Sequence, residues 1–368
     1  MVKFLDLKKQ HLELKKELDE AVSKVVAESS FIKGKELFDF ERDFANYLGV
    51  SHCISCANGT DALTALIKCL ALPAGSSVIL PANTFIATAE AVAANGLNIK
   101  FADIDDDFTI SLESVETLMT EDVSAVIAVH LYGQPAKMAE LKEITTKRKV
   151  ALIEDAAQAH GAMYGRDKAG TLGDGATFSF YPGKVLGAFG DAGAIVVNND
   201  DLAKKIRKYC DHGREEKYKH TSLGINSRMD TIQAAVLRVK LKYLEQWIEK
   251  RTQVAEKYFE LLQNVDDLTL PHVRKNVRHA WHLFVIRHPK RDLLQKYLKD
   301  NGVETGIHYP LSLPEQPVFK DHLIYTENYS VMRVSSELLS LPMGEHLTFE
   351  EVKKVADLIK KFSLKKIF

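Results

Sequence analysis

Residues Val123 to Asp155 read VSAVIAVHLYGQPAKMAELKEITTKRKVALIED. The opening run, VSAVIAV, is almost wholly apolar and rich in β-branched residues, as a strand buried on both faces must be. MAELKEITTKRK follows with the composition of a helix, and VALIED is a second short apolar strand that ends on two carboxylates. Strand, helix and strand in that order form the unit of a parallel sheet covered by helices.

The same unit recurs upstream. HCIS runs into TDALTALIKCLAL, SVILP runs into FIATAEAVAANG, and NIKFADI comes next. From about residue 51 the chain is therefore expected to be an α/β fold, with a mostly parallel sheet sandwiched by helices. Beyond NSRMD, the spacing of Ile232, Val236, Val239, Tyr243 and Trp247 predicts one long amphipathic helix whose apolar stripe is core. From Leu241 onward, Pro271, Pro310, Pro314, Pro317 and Pro342 punctuate what reads as a smaller α+β domain. The expected division is a large domain over residues 1–240, including an N-terminal helical segment, and a small one over 241–368.

The 49 basic and 50 acidic residues leave a formal net charge of −1, which argues against a nucleic-acid or membrane-surface binder. The start, MVKFLDLKKQ, is no secretory signal, and no apolar run approaches the roughly 20 residues that cross a bilayer. A cytoplasmic protein is expected. Four cysteines make no disulfide framework. Cys53 and Cys56 do form a CxxC, yet on a strand such positions face opposite sides, and Cys69 and Cys210 offer no second pair for zinc. No metal is expected.

An open parallel sheet places its ligands at the carboxyl ends of its strands, and three positions there carry chemistry. Asn58-Gly59-Thr60 joins the first strand to a helix, where free N–H groups and the Thr60 hydroxyl suit an anion. The same residues serve equally as a helix cap. Asp155 closes VALIED, and a carboxylate at that depth needs a cation, a metal or a protonated heterocyclic nitrogen. A structural ion pair is the alternative for Asp155. Lys184 stands alone among Gly, Pro and apolar residues in TFSFYPGKVLGAFGDAGAIVV, from Thr177 to Val197. A desolvated lysine loses its charge readily, which suits Schiff-base chemistry.

Two nucleotide motifs are excluded at Lys184. A Walker A loop requires Ser or Thr after the lysine, where Val185 stands, and a glycine where Phe178 stands. GAFGDAG has the wrong spacing for a dinucleotide fingerprint and leads into a strand, AIVVN, rather than a helix. Together, a phosphate site, a strand-end Asp and an isolated Lys are what pyridoxal 5′-phosphate requires. Phe85, in PANTFIATAE, is a candidate to cover the cofactor ring, or else a core residue.

The motifs NGTDAL, PANTFIATAEAV, HLYGQPA, EDAAQAHGA, FSFYPGKVLGAFGDAGAIV, GINSRMDTIQAAVL, IHYP and SLPM resemble, in order, those of the DegT/DnrJ family. Members are pyridoxal-phosphate-dependent nucleotide-sugar aminotransferases of fold type I, and the likeness extends over nearly the whole chain. The resemblance implies Lys184 as the Schiff-base lysine and Asp155 as partner of the pyridine nitrogen. It implies Gln158 beside the ring's 3-hydroxyl, Phe85 stacked on the ring, and Gly59, Thr60 and Ser179 on the phosphate. Asn226 is implied to reach the phosphate of a neighbouring subunit, so a homodimer with shared active sites is expected. Relatives that dehydrate sugars carry histidine in place of this lysine, so Lys184 favours amino transfer.

The resemblance further implies L-glutamate as donor, 2-oxoglutarate as its product, and a UDP- or dTDP-linked keto-sugar as acceptor. Asn226-Ser227-Arg228 is closer to relatives that aminate a 3-keto position than to the NYR forms of 4-aminating ones. Arg228 is then a contact to the sugar or to a uronate, or alternatively a structural ion pair. His308 and Tyr309 resemble the residues that line the family's sugar side. In HGREEKYKH, Arg214 and Lys217 are candidates for the nucleotide diphosphate, and a solvated surface loop is the alternative. The expected role is amino-sugar biosynthesis, lipopolysaccharide or another surface polysaccharide included. A 4-keto specificity, a dehydratase and a non-catalytic regulator are the competing readings.

Overall fold

The computed structural model describes residues 1–322 and 329–364. Nine strands come first in chain order: β1 (His52–Cys56), β2 (Ser77–Pro81), β3 (Asn98–Ala102), β4 (Val123–Val129), β5 (Ala151–Asp155), β6 (Met163–Tyr164), β7 (Asp167–Lys168), β8 (Gly175–Ser179) and β9 (Gly193–Val197). Seven of them form the central sheet in the order β1-β9-β8-β5-β4-β2-β3. All its neighbouring pairs are parallel except those of β9, which runs against both β1 and β8. The expectation of a mostly parallel α/β sheet holds. Register pairs Val129 with Asp155 and Asp155 with Thr177, so β4 and β5 end level and β8 runs two residues further, to Ser179.

Helices α1 (Leu7–Glu13), α2 (Lys15–Ala27) and α3 (Lys35–Leu48) precede the sheet, and α4 (Gly59–Leu70), α5 (Ala87–Ala94), α6 (Leu112–Leu118), α7 (Met138–Arg148) and α8 (Asp200–Tyr209) cross between its strands. Alternate side chains of one strand enter different cores. Val78 and Leu80 pack with α4 and α5, whereas Ile79 packs with Val115 and Leu141 of α6 and α7. Each such fully buried aliphatic side chain contributes about 1.5–3 kcal/mol. Cys53 and Cys56 divide in the same way between two cores, and burial raises both thiols. All four cysteines are free, and no group of three or more metal-binding side chains exists among the described residues. No described helix is long and apolar enough to cross a membrane.

The stretch 214–220, read as a loop, folds as a hairpin of β10 (Arg214–Glu216) and β11 (Lys219–His220). The long helix after NSRMD divides into α9 (Thr231–Leu241) and α10 (Leu244–Leu262). There the N–H groups of Lys242 and Tyr243 bond one residue short of the α-helical partner, to Val239 and Lys240. The Tyr243 hydroxyl is held at this joint by Glu17 of α2. The apolar spacing was legible across the break because Val236, Val239 and Trp247 bury in one cluster with Leu14 and Leu18.

Beyond α10 lie β12 (Val277–Arg278), β13 (Phe284–Arg287), α11 (Arg291–Asp300), α12 (Ser330–Val334), β14 (Leu338–Leu341) and α13 (Phe349–Leu364). Strands β13 and β14 pair antiparallel, and Tyr258, Phe284, Ile286, Leu341 and Ile359 share a separate core beneath them. β12 instead joins β6 and β7 in a small three-stranded sheet.

Candidate active site

At the carboxyl edge of the parallel strands lies a cavity of about 640 Å³. That volume is in the range of roughly 300–1,000 Å³ typical of small-molecule sites. Gly59, Thr60, Phe85, Asp155, Gln158, Ser179, Lys184, His308 and Tyr309 all line it, although they are scattered over the sequence.

The first wall is the start of α4. Asn58 is the cap, its side chain accepting the Asp61 N–H at 2.8 Å and its carbonyl the Ala62 N–H at 3.1 Å. The N–H groups of Gly59 and Thr60 find no acceptor among the described residues and remain for a ligand. Cap and anion site are therefore both present, on adjacent residues. Glycine is required at 59, because a Cβ there would lie 2.7 Å from Ser179 Cβ at the end of β8. Gly193 answers a similar demand, since its Cβ would sit 2.3 Å from the Asn58 carbonyl oxygen.

Asp155 is buried at the tip of β5. Its Oδ2 accepts the Thr88 hydroxyl at 2.9 Å and its Oδ1 the Ala157 N–H at 3.2 Å. The strand tip is anchored from beneath by Glu154, which is fully buried and accepts N–H bonds from Gly170, Leu172 and Gly173, each at 2.7 Å. His130 completes that anchor. Its Nδ1 accepts the Ala136 N–H at 3.0 Å, which leaves Nε2 to donate to Glu154 at 2.9 Å.

Lys184 sits half-buried in the turn after β8, and its N–H bonds the Tyr181 carbonyl at 2.8 Å. Burial lowers its ammonium to about 8, against the opposing pull of the Asp155 charge. Among the described residues its Nζ has no hydrogen bond or ion pair. Gln158 is held at both ends, accepting the Tyr132 N–H at 2.7 Å and donating to the Tyr309 hydroxyl at 3.2 Å. The Tyr132 hydroxyl donates in turn to the His308 carbonyl. His308 Nδ1 meets Ser340 Oγ at 2.8 Å, and burial with the Lys184 charge lowers the imidazole to about 4. Phe85 is 53% exposed, so it is not core, and its ring stands 5.9 Å from that of Tyr309.

Four expected residues lie outside the cavity. Arg228 and Arg214 both approach Asp211, each at 3.5 Å, and Lys33 joins them at 2.5 Å. Lys217 is exposed on the hairpin, its ammonium 5.3 Å from the centre of the Tyr218 ring. Asn226 is exposed, bridging the Asp211 backbone. The NSR segment nevertheless reaches the cavity's first wall, for Ser227 Oγ accepts the Ala57 N–H at 3.2 Å and donates to Asp61 at 2.7 Å.

Several lining residues escaped the sequence reading: Phe4, Leu5, Thr88, Arg251 and His282. Thr88 was within reach, one helical turn after Phe85 in PANTFIATAE. Phe4 and Leu5 belong to the opening FLDL, which the family resemblance takes in, whereas Arg251 and His282 come from distant segments and carry no local signature.

The donor set fits pyridoxal 5′-phosphate. Two unpaired N–H groups at a helix start, with a Ser hydroxyl opposite, match a phosphate. Asp155 matches a protonated ring nitrogen, and Ala157 and Phe85 offer flat apolar contact. Lys184, unpartnered and lowered by burial, matches an aldehyde.

A sequence model of the DegT/DnrJ/EryC1/StrS aminotransferase family matches residues 12–360. A pleiotropic regulatory protein of Geobacillus stearothermophilus is 42% identical, with 98% of each chain covered. The dTDP-3-amino-3,6-dideoxy-alpha-D-galactopyranose transaminase of Aneurinibacillus thermoaerophilus is 38% identical over 98% of this chain and 99% of its own. The UDP-2-acetamido-2-deoxy-3-oxo-D-glucuronate aminotransferase of Pseudomonas aeruginosa is 36% identical over 96% and 98%. Among solved structures, S. venezuelae DesV in complex with ketimine intermediate superposes with a TM-score of 0.96 at 36% identity, covering 98% of both chains. NtdA from Bacillus subtilis, with bound cofactor PMP, gives 0.89 at 31% identity over 96% of this chain and 82% of its own.

Proposed function

This chain belongs to the DegT/DnrJ/EryC1/StrS aminotransferase family, and on that premise we propose that it moves an amino group from L-glutamate to a nucleotide-linked 3-keto sugar. It is a sugar aminotransferase that depends on pyridoxal 5′-phosphate. The observation that carries the reading is the convergence of Lys184, Asp155 and the open start of α4 on one cavity.

The bound cofactor supplies a carbonyl that accepts the amino group and a ring that draws off the electrons left at the donor's α-carbon. Lys184 Nζ would hold the cofactor through that carbonyl, and as a neutral amine it would take and return the proton of the donor's α-carbon. Burial lowers its pKa to about 8, so far more of it is neutral near physiological pH than of an ordinary lysine. Asp155, oriented by Thr88 and Ala157, keeps the ring nitrogen protonated. Gly59, Thr60 and Ser179 hold the phosphate, Phe85 covers the ring, and Gln158 lies against its 3-hydroxyl. His308 and Tyr309 face the sugar.

The donor would leave as 2-oxoglutarate, one water supplying its keto oxygen, and the same residues would act in reverse on the keto-sugar. The 3-keto position is supported by Asn226-Ser227-Arg228 and by relatives named for 3-amino and 3-oxo sugars. Asn226 is exposed and reaches the cavity of a second copy, so the working unit is a homodimer with shared sites. Arg228, Arg214 and Lys217 lie outside this chain's own cavity and would serve that of the second copy, Arg228 at the sugar and Arg214 and Lys217 at the nucleotide diphosphate. The domain boundary falls at 240/241, one residue before the end of α9. The enzyme works in the cytoplasm, in amino-sugar supply for surface polysaccharides.

Purified protein is mixed with glutamate and a panel of dTDP- and UDP-linked 3- and 4-keto sugars, and 2-oxoglutarate is measured. Turnover with 3-keto sugars is expected. Preferential turnover of 4-keto sugars overturns the position, and none with any sugar overturns the function.

A further inference from the structure

Lys240 is a lysine in an unusual place. It lies on α9 and is 3% exposed, and among the described residues the charge that acts on it, Glu345, is paired instead with Arg251. Its Nζ donates to the Gly187 carbonyl at 2.7 Å and stands 5.1 Å from the centre of the Phe189 ring. Burying an ammonium against one carbonyl and one ring is costly, and a hydrocarbon of equal length would fill the space more favourably. What a hydrocarbon lacks is a donor for Gly187.

Gly187 belongs to the turn that carries Lys184. A second residue of α9 grips the same turn, since Gln233 Oε1 accepts the Phe189 N–H at 2.8 Å. Positions 233 and 240 stand two helical turns apart, on one face of α9. The gripped turn has little slack. A Cβ at Gly187 would lie 2.4 Å from the Pro182 carbonyl oxygen and 2.9 Å from that of Tyr181, so Gly187 is packed directly on the residues that precede Lys184. The Ala188 N–H bonds back to Phe180 at 2.8 Å, and Val185 and Leu186 are fully buried. A shift of Gly187 is thereby passed to the backbone on both sides of Lys184.

We propose that Lys240, with Gln233, is a positioning residue for Lys184, fixing the turn from Gly183 to Gly190 so that the Lys184 amine is held at the reacting carbon. This rests on Lys184 being the reacting lysine. A displacement of about 1 Å at a reacting group lowers rates by up to about a hundredfold.

The test compares Lys240→Met and Gln233→Leu with wild type, and Lys184→Ala serves as control. Measured are kcat and KM for glutamate, the rate at which apo-protein captures pyridoxal 5′-phosphate, and the unfolding temperature. For Lys240→Met, kcat and capture rate are expected to fall together by about 10- to 100-fold, with KM within about twofold and the unfolding temperature unchanged or raised. Gln233→Leu is expected to fall less, and it answers the question by itself if Lys240→Met does not fold. Wild-type kcat and capture rate in folded variants overturn the proposal. So does a loss accounted for wholly by lower stability. If Lys184→Ala itself turns over and captures cofactor normally, the reading of Lys184 fails instead.

Discussion

Thr88 Oγ1 donates to Asp155 Oδ2 at 2.9 Å, linking the first turn of α5 to the last residue of β5. The bond fixes the carboxylate proposed to face the cofactor's ring nitrogen, and Thr84 in turn meets Thr88 at 3.1 Å. Hydrogen bonds to charged groups are worth about 1.5–3 kcal/mol. Thr88→Val, which keeps the shape and removes the donor, is expected to weaken cofactor binding by about ten- to a hundredfold in a titration of the apo-protein. Unchanged affinity would show that Asp155 needs no such support.

Gly59→Ala tests the phosphate cradle. The new methyl group would stand 2.7 Å from Ser179 Cβ, so the start of α4 or the end of β8 must move. Such overpacking costs about 1–3 kcal/mol. Affinity for pyridoxal 5′-phosphate is expected to fall at least about tenfold, whereas affinity for phosphate-free pyridoxal stays close to wild type. Equal losses for the two ligands would place the phosphate elsewhere.

The pH dependence of cofactor capture follows from Lys184. Only the neutral amine attacks an aldehyde, and burial lowers Lys184 to about 8. Capture by apo-protein should therefore rise with pH and level off above about 8, well short of the 10.5 of an ordinary lysine. Stability has the same sign. Lys184 and Lys240, both lowered to about 8 by burial, bind protons more tightly when unfolded. The contribution of Lys240 to stability should thus rise as pH goes from about 8 towards 10.5, read as the urea midpoint of the wild-type apo-protein minus that of Lys240→Met, a difference in which the opposite effect of the buried cysteines and tyrosines cancels. A difference that falls over that interval would contradict the burial of Lys240.

Arg251 and Glu345 form a buried pair at the edge of the cavity, with 2% and 3% of their side chains exposed and Nη2 2.8 Å from Oε2. Gln10 of α1 also donates to Glu345, at 2.6 Å, so the pair ties the N-terminal segment to α10. Arg251→Leu leaves a buried carboxylate unpaired and is expected to destabilise the protein by about 3–5 kcal/mol in chemical unfolding. Replacing both partners with apolar residues should recover most of that loss.

What was legible in the sequence was local. VSAVIAV is β4 to the residue, and VALIED contains β5 with Asp155 at its tip. Lys184 stood out because nothing near it in sequence explains a cation. Contacts between distant segments left no such trace. Arg251 pairs with Glu345, and Phe4 stacks on His308 with ring centres 5.9 Å apart, only because the chain's two ends fold over the cavity. The reversed direction of β9 was likewise hidden, since a buried strand reads the same in either sense. The break at Tyr243 escaped because the apolar spacing continues through it.

The most direct test of the central claim is where borohydride fixes the cofactor. Holoenzyme is reduced, digested and mapped by mass spectrometry. The expected result is a phosphopyridoxyl group on Lys184 alone, and no label in Lys184→Ala. A label on any other lysine, or wild-type turnover by Lys184→Ala, would contradict the account.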